Sequence, residues 1–127
     1  MIRETILTSV SASGRVHIAP LGIIAAGDDE AGRWIVAPFR PSTTLANIEE
    51  TGFAVANYTD DVLIFAGCLT GRKDWPLVPL DGCPVPRLAA ALAHDVLQVA
   101  HVEDDAVRPR FHLSLIHISE PTRRYAI

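Results

Sequence analysis

The sequence predicts a mainly β protein, a small antiparallel barrel of six strands with one or two short helices. Six short segments are rich in β-branched residues or alternate between apolar and polar side chains, which is typical of strands. Clusters of Gly, Pro, Ser and Asp separate these segments, and a regular alternation of strands with helices is absent. The 127 residues suffice for one domain, so the strands are expected to surround a single core.

The first two strands are expected to form a hairpin. Residues 2–10 alternate imperfectly between apolar and polar side chains, residues 11–14 are turn formers, and residues 15–24 make the second strand. Pro20 has no backbone N–H to donate, so the second strand should bulge, break or lie at an edge there. Residues 33–39 are predicted to form the third strand.

A short helix is expected after the third strand. Ser42 or Thr43 is suited to be its N-cap, and Gly52 is suited to end it in a left-handed conformation. Residues 52–58 then predict the fourth strand, because they are rich in aromatic and branched side chains.

The second half of the chain is less regular. Two acids, Asp60 and Asp61, precede an apolar run and favour a helix there. A strand is the alternative, because the run is rich in β-branched residues. Residues 71–86 carry four prolines and two glycines and predict a long loop. Residues 87–93 predict one or two helical turns or the approach to a strand. The last two strands are expected at residues 95–103 and from residue 110 onward.

Composition excludes several classes of protein. The net charge of −4 lacks the basic excess of nucleic-acid binders, so neither nucleic acid nor an anionic membrane is an expected partner. No apolar run approaches the length of a membrane helix, and the N-terminus does not read as a signal peptide, so we expect a cytoplasmic protein. Cys68 and Cys83 do not have metal-ligand spacing, and no metal site is expected.

The C-terminal residues 113–127 look foreign to the rest of the chain. The run LSLIHISEPTR resembles the translation of a transposase adapter used to build sequencing libraries. We therefore expect a native domain over residues 1–112, truncated, followed by a non-native tail over residues 113–127. A natural C-terminal strand is the alternative, because LSLIHIS alternates as a strand does.

One segment has the chemistry of a phosphate site. Arg40 offers a guanidinium fork, and the hydroxyls of Ser42, Thr43 and Thr44 lie at a predicted helix start, where free N–H groups and the helix dipole favour an anion. An ordinary polar cap beside a surface arginine remains the alternative. His17 is expected to be a barrel or surface histidine rather than a catalytic one, and no hydrolytic triad motif is present.

Several runs of residues resemble the DUF447 family over residues 1–112. They are RETILTS, HIAPLGI, PFRPSTTLAN, FAVANYTDDVLIFAGCLTGRKDWP and DVLQVAHVEDDAVRPRF. The resemblance implies a Greek-key split barrel of the flavin-reductase type, a homodimer, and FMN as the cofactor at the dimer interface.

The resemblance also implies which residues bind the cofactor. Arg40, Ser42, Thr43 and Thr44 correspond to the phosphate-binding turn, Asn47 to a contact with the ribityl chain or flavin edge, and Pro20, Leu21 and Gly22 to backbone beside the flavin. The implied function is an FMN-binding flavoprotein, a flavin-dependent oxidoreductase of unknown substrate. A non-catalytic flavin carrier or sensor, and a barrel that binds another phosphate-bearing or deazaflavin cofactor, are the alternatives.

Overall fold

The computed structural model describes residues 2–25, 33–38, 42–72 and 74–116. Within them the chain forms eight strands and two helices. In chain order they are β1 (Ile2–Val10), β2 (Val16–Ala25), β3 (Arg33–Val36), α1 (Thr43–Thr51), β4 (Phe53–Tyr58), α2 (Val62–Leu69), β5 (Leu77–Leu80), β6 (Cys83–Leu88), β7 (Ala93–Glu103) and β8 (Arg110–Leu115).

Six of the strands close into an antiparallel barrel, which confirms the predicted fold class. Their order around the barrel is β1-β2-β3-β8-β7-β4, and β5 and β6 form a separate two-stranded sheet. The connection through α1 brings β4 back beside β1, so the spatial order β4-β1-β2-β3 is a Greek key. The β1–β2 hairpin pairs without a break from Ile2↔Ile24 to Val10↔Val16, as the sequence predicted.

Both faces of β1 are buried. Leu7 belongs to the interior core, which α1 covers at one end with Leu45 and Ile48. Ile6, on the opposite face of the strand, packs in a second cluster with Ile64 of α2 and Leu88 of β6. The strand therefore has a core on each side, which explains why the alternation in its sequence is imperfect.

Residues 71–86 do not form the predicted loop. The segment contains β5 and most of β6, which pair as a hairpin with a register shift between Val78 and Leu80. Each strand of a two-stranded sheet has one side without a partner, so prolines at Pro79, Pro84 and Pro86 need not remove a ladder hydrogen bond. The prolines predicted a loop because the sequence does not reveal which side of a strand is free.

The remaining expectations differ from the structure mainly at element boundaries. The helix alternative for residues 62–69 is correct, and Asp61 caps α2 by accepting from the Leu63 N–H at 2.9 Å. Residues 87 and 88 complete β6, and the short segment after them is a turn rather than helix. β8 includes Leu113, which is fully buried, so the predicted boundary at His112 falls inside this strand. That boundary stays a prediction.

The barrel closes between β2 and β3 over only a short stretch of the residues that the structure describes. Within the described ranges, only Ile24 and Ala25 of β2 pair with β3. Pro20 pairs with Ile6 of β1 in the part of β2 that lacks a β3 partner, which confirms an edge as the explanation of this proline. The two strands thus separate toward the end of the barrel that α1 covers.

Candidate functional site

The β1–β2 turn is fixed against α1 by two hydrogen bonds. Asn47 of α1 donates from Nδ2 to Ser9 Oγ at 3.1 Å, and both side chains are buried. Near the other end of α1, Glu50 Oε2 accepts from the Ala12 backbone N–H at 2.8 Å. These contacts join β1 and the turn to the middle and the last part of α1.

The N-terminus of α1 has an N-cap and an uncompensated positive end. Ser42 is the N-cap, and its Oγ accepts from the Leu45 N–H at 3.0 Å. The Ala46 N–H donates to the Ser42 carbonyl at 3.2 Å, which leaves the N–H groups of Thr43 and Thr44 without an intrahelical acceptor. The first turn contains no acidic residue, so the helix dipole favours an anion there. Gly52 ends the helix with φ 76°, as predicted.

A polar pocket of about 470 Å³ lies between the β1–β2 turn and α1. Thr43 and Asn47, one helical turn apart, form its α1 wall. The opposite wall comes from the turn and the start of β2, with Ser11, Ser13, Arg15, Val16 and His17. None of the lining side chains in the described part of the chain is acidic, whereas Arg15 carries a positive charge. The pocket is therefore suited to an anionic, hydroxyl-rich ligand.

The structure brings some of the predicted phosphate-site residues together. Thr43 and Asn47 face the same pocket, and Ser42 begins the same helix turn. Thr44 is almost completely buried, so its backbone N–H is better suited than its side chain to serve a ligand. Arg40 lies outside the described residues.

Pro20, Leu21 and Gly22 lie further along β2, on its open edge. The Leu21 carbonyl accepts from Thr5 Oγ1 at 2.9 Å, and its side chain packs against the barrel core. At Gly22, an added Cβ would lie 3.0 Å from Ile2 Cγ2, so the absence of a side chain makes room for β1 rather than for a ligand. Only the backbone of this segment is thus suited to contact a cofactor.

Arg15, Ser11 and Ser13 were not predicted as site residues. They belong to a turn more than twenty residues before α1, and three-dimensional contacts such as those of Ala12 with Glu50 and of Ser9 with Asn47 bring them to the helix. The sequence signal that could have indicated this wall of the pocket was His17. This polar residue shares a face of β2 with Ala19, Leu21 and Ile23, which places a polar group at the end of an apolar face.

The thiols give no sign of an activated nucleophile. Both Cys68 and Cys83 are free. Burial raises the pKa of each thiol, so both remain protonated near neutral pH. Within the described residues no group of three or more His, Cys, Asp or Glu side chains is placed to hold a metal ion. No described helix is long and apolar enough to cross a membrane.

The six-stranded Greek-key barrel, opened along β2 and covered by α1, defines the class as a split β-barrel of the flavin-reductase type. The sequence agrees with this class. The chain belongs to the DUF447 family, because the family model described as "Protein of unknown function (DUF447) N-terminal domain" matches residues 3–120. This confirms the family that the sequence runs indicated. No curated protein matches the chain in sequence.

Solved structures with the same fold are distant in sequence. A 2-nitrobenzoate 2-nitroreductase from Pseudomonas fluorescens superposes with a TM-score of 0.75 at 20% identity, covering 95% of this chain and 69% of the other. A putative flavin reductase from Shewanella frigidimarina gives 0.77 at 12% identity, covering 91% and 66%. An FMN-bound DUF447 protein from Methanosarcina mazei gives 0.76 at 20% identity, covering 91% and 59%. The chain thus spans about two thirds or less of these proteins' lengths.

Proposed function

We propose that the chain binds FMN and is part of a flavin-dependent oxidoreductase whose substrate is not identified. The observation that carries the proposal is the acid-free pocket at the start of α1, lined mostly by polar and cationic side chains. The FMN bound to the Methanosarcina mazei family member supports this choice of cofactor. The nitroreductase and flavin reductase with the same fold support redox chemistry rather than hydrolysis.

The residues present fit FMN in shape and in chemistry. The phosphate requires donors and positive charge, which Thr43, the free N–H groups of α1 and the cationic wall of the pocket provide. The stretch of β2 from His17 to Gly22 spans roughly 17 Å at about 3.3 Å per residue, comparable to the length of an extended flavin nucleotide. Along the stretch of β2 for which the described residues supply no β3 partner, backbone N–H and C=O groups are suited to the polar rim of the flavin ring.

In this proposal the protein binds and orients the cofactor. FMN, when bound, supplies the hydride and electron transfer, so no side-chain nucleophile is required. Thr43 and Arg40 would hold the phosphate, Asn47 would contact the ribityl chain, and the backbone at Pro20 to Gly22 would lie beside the ring. Asn47 is fixed by its bond to Ser9, which keeps its amide in the wall of the pocket.

Quenching of FMN fluorescence tests the cofactor. We expect saturable quenching with the wild-type chain, and Arg40→Ala should weaken FMN binding about tenfold to a hundredfold because a charge-assisted contact is lost. Absence of quenching by the wild type would overturn the proposal. Unchanged affinity in Arg40→Ala would remove Arg40 from the site and leave the cofactor proposal intact.

Two further measurements distinguish the alternatives left open by the sequence. Reduction of bound FMN by NADH or NADPH at a useful rate supports an enzyme, whereas binding without reduction supports a carrier or sensor. Competition between FMN, a deazaflavin cofactor and other phosphate-bearing cofactors identifies the ligand that the pocket prefers.

We also propose that the chain acts as a cytoplasmic homodimer that uses α2 at its interface. Val62, Leu63 and Leu69 of α2 are 74%, 76% and 75% exposed, which is unusual for three large apolar side chains on one short helix. Sedimentation of the wild type and of Leu63→Lys/Leu69→Lys tests the dimer, which the charged variant should dissociate. A wild-type monomer contradicts it. Fractionation of source cells tests the location.

A further inference from the structure

We propose that Arg15, on the β1–β2 turn, selects a phosphorylated ligand by binding the terminal phosphate of FMN from the wall opposite α1. The inference rests on the proposed FMN function and adds to it a residue and a selectivity. Its basis is that Arg15 lines the same pocket as Thr43 and Asn47, although it lies far from them in the chain.

The backbone of Arg15 is held in place on both sides of the residue. Its N–H donates to Ser11 Oγ at 3.1 Å. Its carbonyl accepts from the Ser11 N–H at 3.0 Å, which closes the turn. Gly14 completes the turn with φ 90°, a conformation that favours glycine. Only the side chain of Arg15 is left to be ordered by a ligand, which lowers the entropic cost of binding.

The turn cannot easily move away from α1. Glu50 of α1 accepts from the Ala12 N–H at 2.8 Å, and Asn47 donates to Ser9 at 3.1 Å. The two bonds join β1 and the turn to α1 at Asn47, which lines the pocket, and at Glu50, further along the helix. Arg15 and Thr43 therefore line one pocket whose two walls these bonds join before a ligand arrives.

The charges in the pocket favour an anion with several oxygens. Arg15 forms no ion pair with a carboxylate of the described residues. Glu50, the carboxylate bonded to the turn, is already engaged by the Ala12 N–H. A guanidinium fork can donate two parallel hydrogen bonds to a phosphate, and the first turn of α1 adds N–H donors from the other side. A neutral ribityl hydroxyl, as in riboflavin, gains much less from such a site.

The experiment compares FMN with riboflavin, which lacks the phosphate. Affinities of the wild type, Arg15→Gln and Arg15→Lys are measured by flavin fluorescence quenching. Arg110→Gln is the matched control, because it removes the same charge from an exposed ion pair with Glu103 at 3.4 Å, outside the pocket. Inorganic phosphate is titrated separately into wild type and Arg15→Gln, with the ring resonances of His17 as the reporter.

We expect Arg15→Gln to weaken FMN about tenfold to a hundredfold and to leave riboflavin unchanged. Arg15→Lys should lie between the two, because it keeps the charge and loses the fork. Arg110→Gln should bind both flavins as the wild type does. Inorganic phosphate should shift the His17 resonances in the wild type and not in Arg15→Gln.

The outcomes separate this inference from the proposed function. FMN binding that is equal in wild type and Arg15→Gln overturns the role of Arg15 and leaves FMN binding intact. An equal loss of FMN and riboflavin affinity also overturns it, because the effect is then structural. If the wild type binds no FMN, the proposed function fails. The phosphate titration then decides whether Arg15 forms an anion site. If neither FMN quenching nor a phosphate-induced shift of the His17 resonances is seen, the proposed function and the role of Arg15 are both overturned.

Discussion

The buried side chain of Asn57 offers the sharpest test of how the β5–β6 hairpin is joined to the barrel. Asn57 is fully buried at the end of β4. Its Nδ2 donates to the Ile6 carbonyl at 2.9 Å, with the Val55 carbonyl and Thr8 Oγ1 both at 3.2 Å. Its Oδ1 accepts from the Leu88 N–H at 2.8 Å. One amide thus connects three strands.

Replacing Asn57 by leucine keeps the size of the side chain and removes all of these bonds. It leaves the buried Leu88 N–H without its acceptor and the Ile6 carbonyl without this donor. At roughly 1–3 kcal/mol for each unsatisfied buried group, we expect a loss of about 2–6 kcal/mol. This is a large part of the roughly 5–15 kcal/mol by which a domain is stable.

Urea unfolding followed by tryptophan fluorescence measures this loss. Asn57→Asp is an informative second variant, because its carboxyl must be protonated to donate where the amide does. Its pKa should therefore be raised in the folded state, so its stability is present at low pH and is lost as the pH rises through that pKa. An Asn57→Leu chain with the wild-type urea midpoint, or an Asn57→Asp chain without pH dependence, would refute the reasoning.

Three further predictions rest on single contacts, and a fourth rests on the adapter interpretation of the C-terminal residues. Gly67→Ala should destabilise the chain, because the added Cβ would lie 2.5 Å from Trp75 Cζ2. Crowding of roughly 1–3 kcal/mol exceeds the gain in helix propensity of about 1 kcal/mol. In a Trp75→Leu background, which removes the crowding, the same substitution should raise the urea midpoint. Ser42→Asp should keep the helix cap and the unfolding midpoint, because aspartate also accepts from the first-turn N–H groups. It should weaken FMN binding about tenfold or more, because the new carboxylate repels the phosphate. An unchanged FMN affinity would count against a phosphate at this turn. The hydrogen bond with His112 holds the pKa of Glu103 below its usual range. The wild type should therefore be more stable than Glu103→Gln at neutral pH, and the difference should vanish as acid protonates the carboxylate. Urea midpoints measured against pH test this. The adapter interpretation predicts that the source gene departs from this sequence after codon 112. If resequencing of the locus returns the same codons, the interpretation is wrong.

Local signals predicted the elements whose ends depend on nearby residues. The bounds of α1 followed from Ser42 and Gly52, whose capping geometry needs only the adjacent backbone. The choice of helix for α2 depended in the same way on Asp61, which bonds a neighbouring N–H. The β5–β6 hairpin was missed because the effect of a proline depends on which side of a strand is paired, and long-range contacts decide that.

The candidate site divides along the same line. Thr43 was predicted from its hydroxyl at a helix start, and the family resemblance implied Asn47, which lies one helical turn further on the same face. Arg15 could not be predicted, since long-range contacts place it beside α1, as in the bond of Ala12 to Glu50, a residue 38 positions away. The position of His17 on an otherwise apolar face of β2 was the one sequence signal for the second wall of the pocket.

The open edge of β2 links cofactor supply to the behaviour of the protein in solution. Over the stretch of β2 that has no β3 partner in the described ranges, N–H and C=O groups can pair with a strand from another molecule, which is how edge-to-edge aggregation begins. A ligand lying on that edge shields it, and by binding only the folded chain it also draws molecules out of the unfolded pool. Expression in riboflavin-starved cells should therefore reduce the yield of dispersed protein along with its flavin content, and restoring the vitamin should recover both.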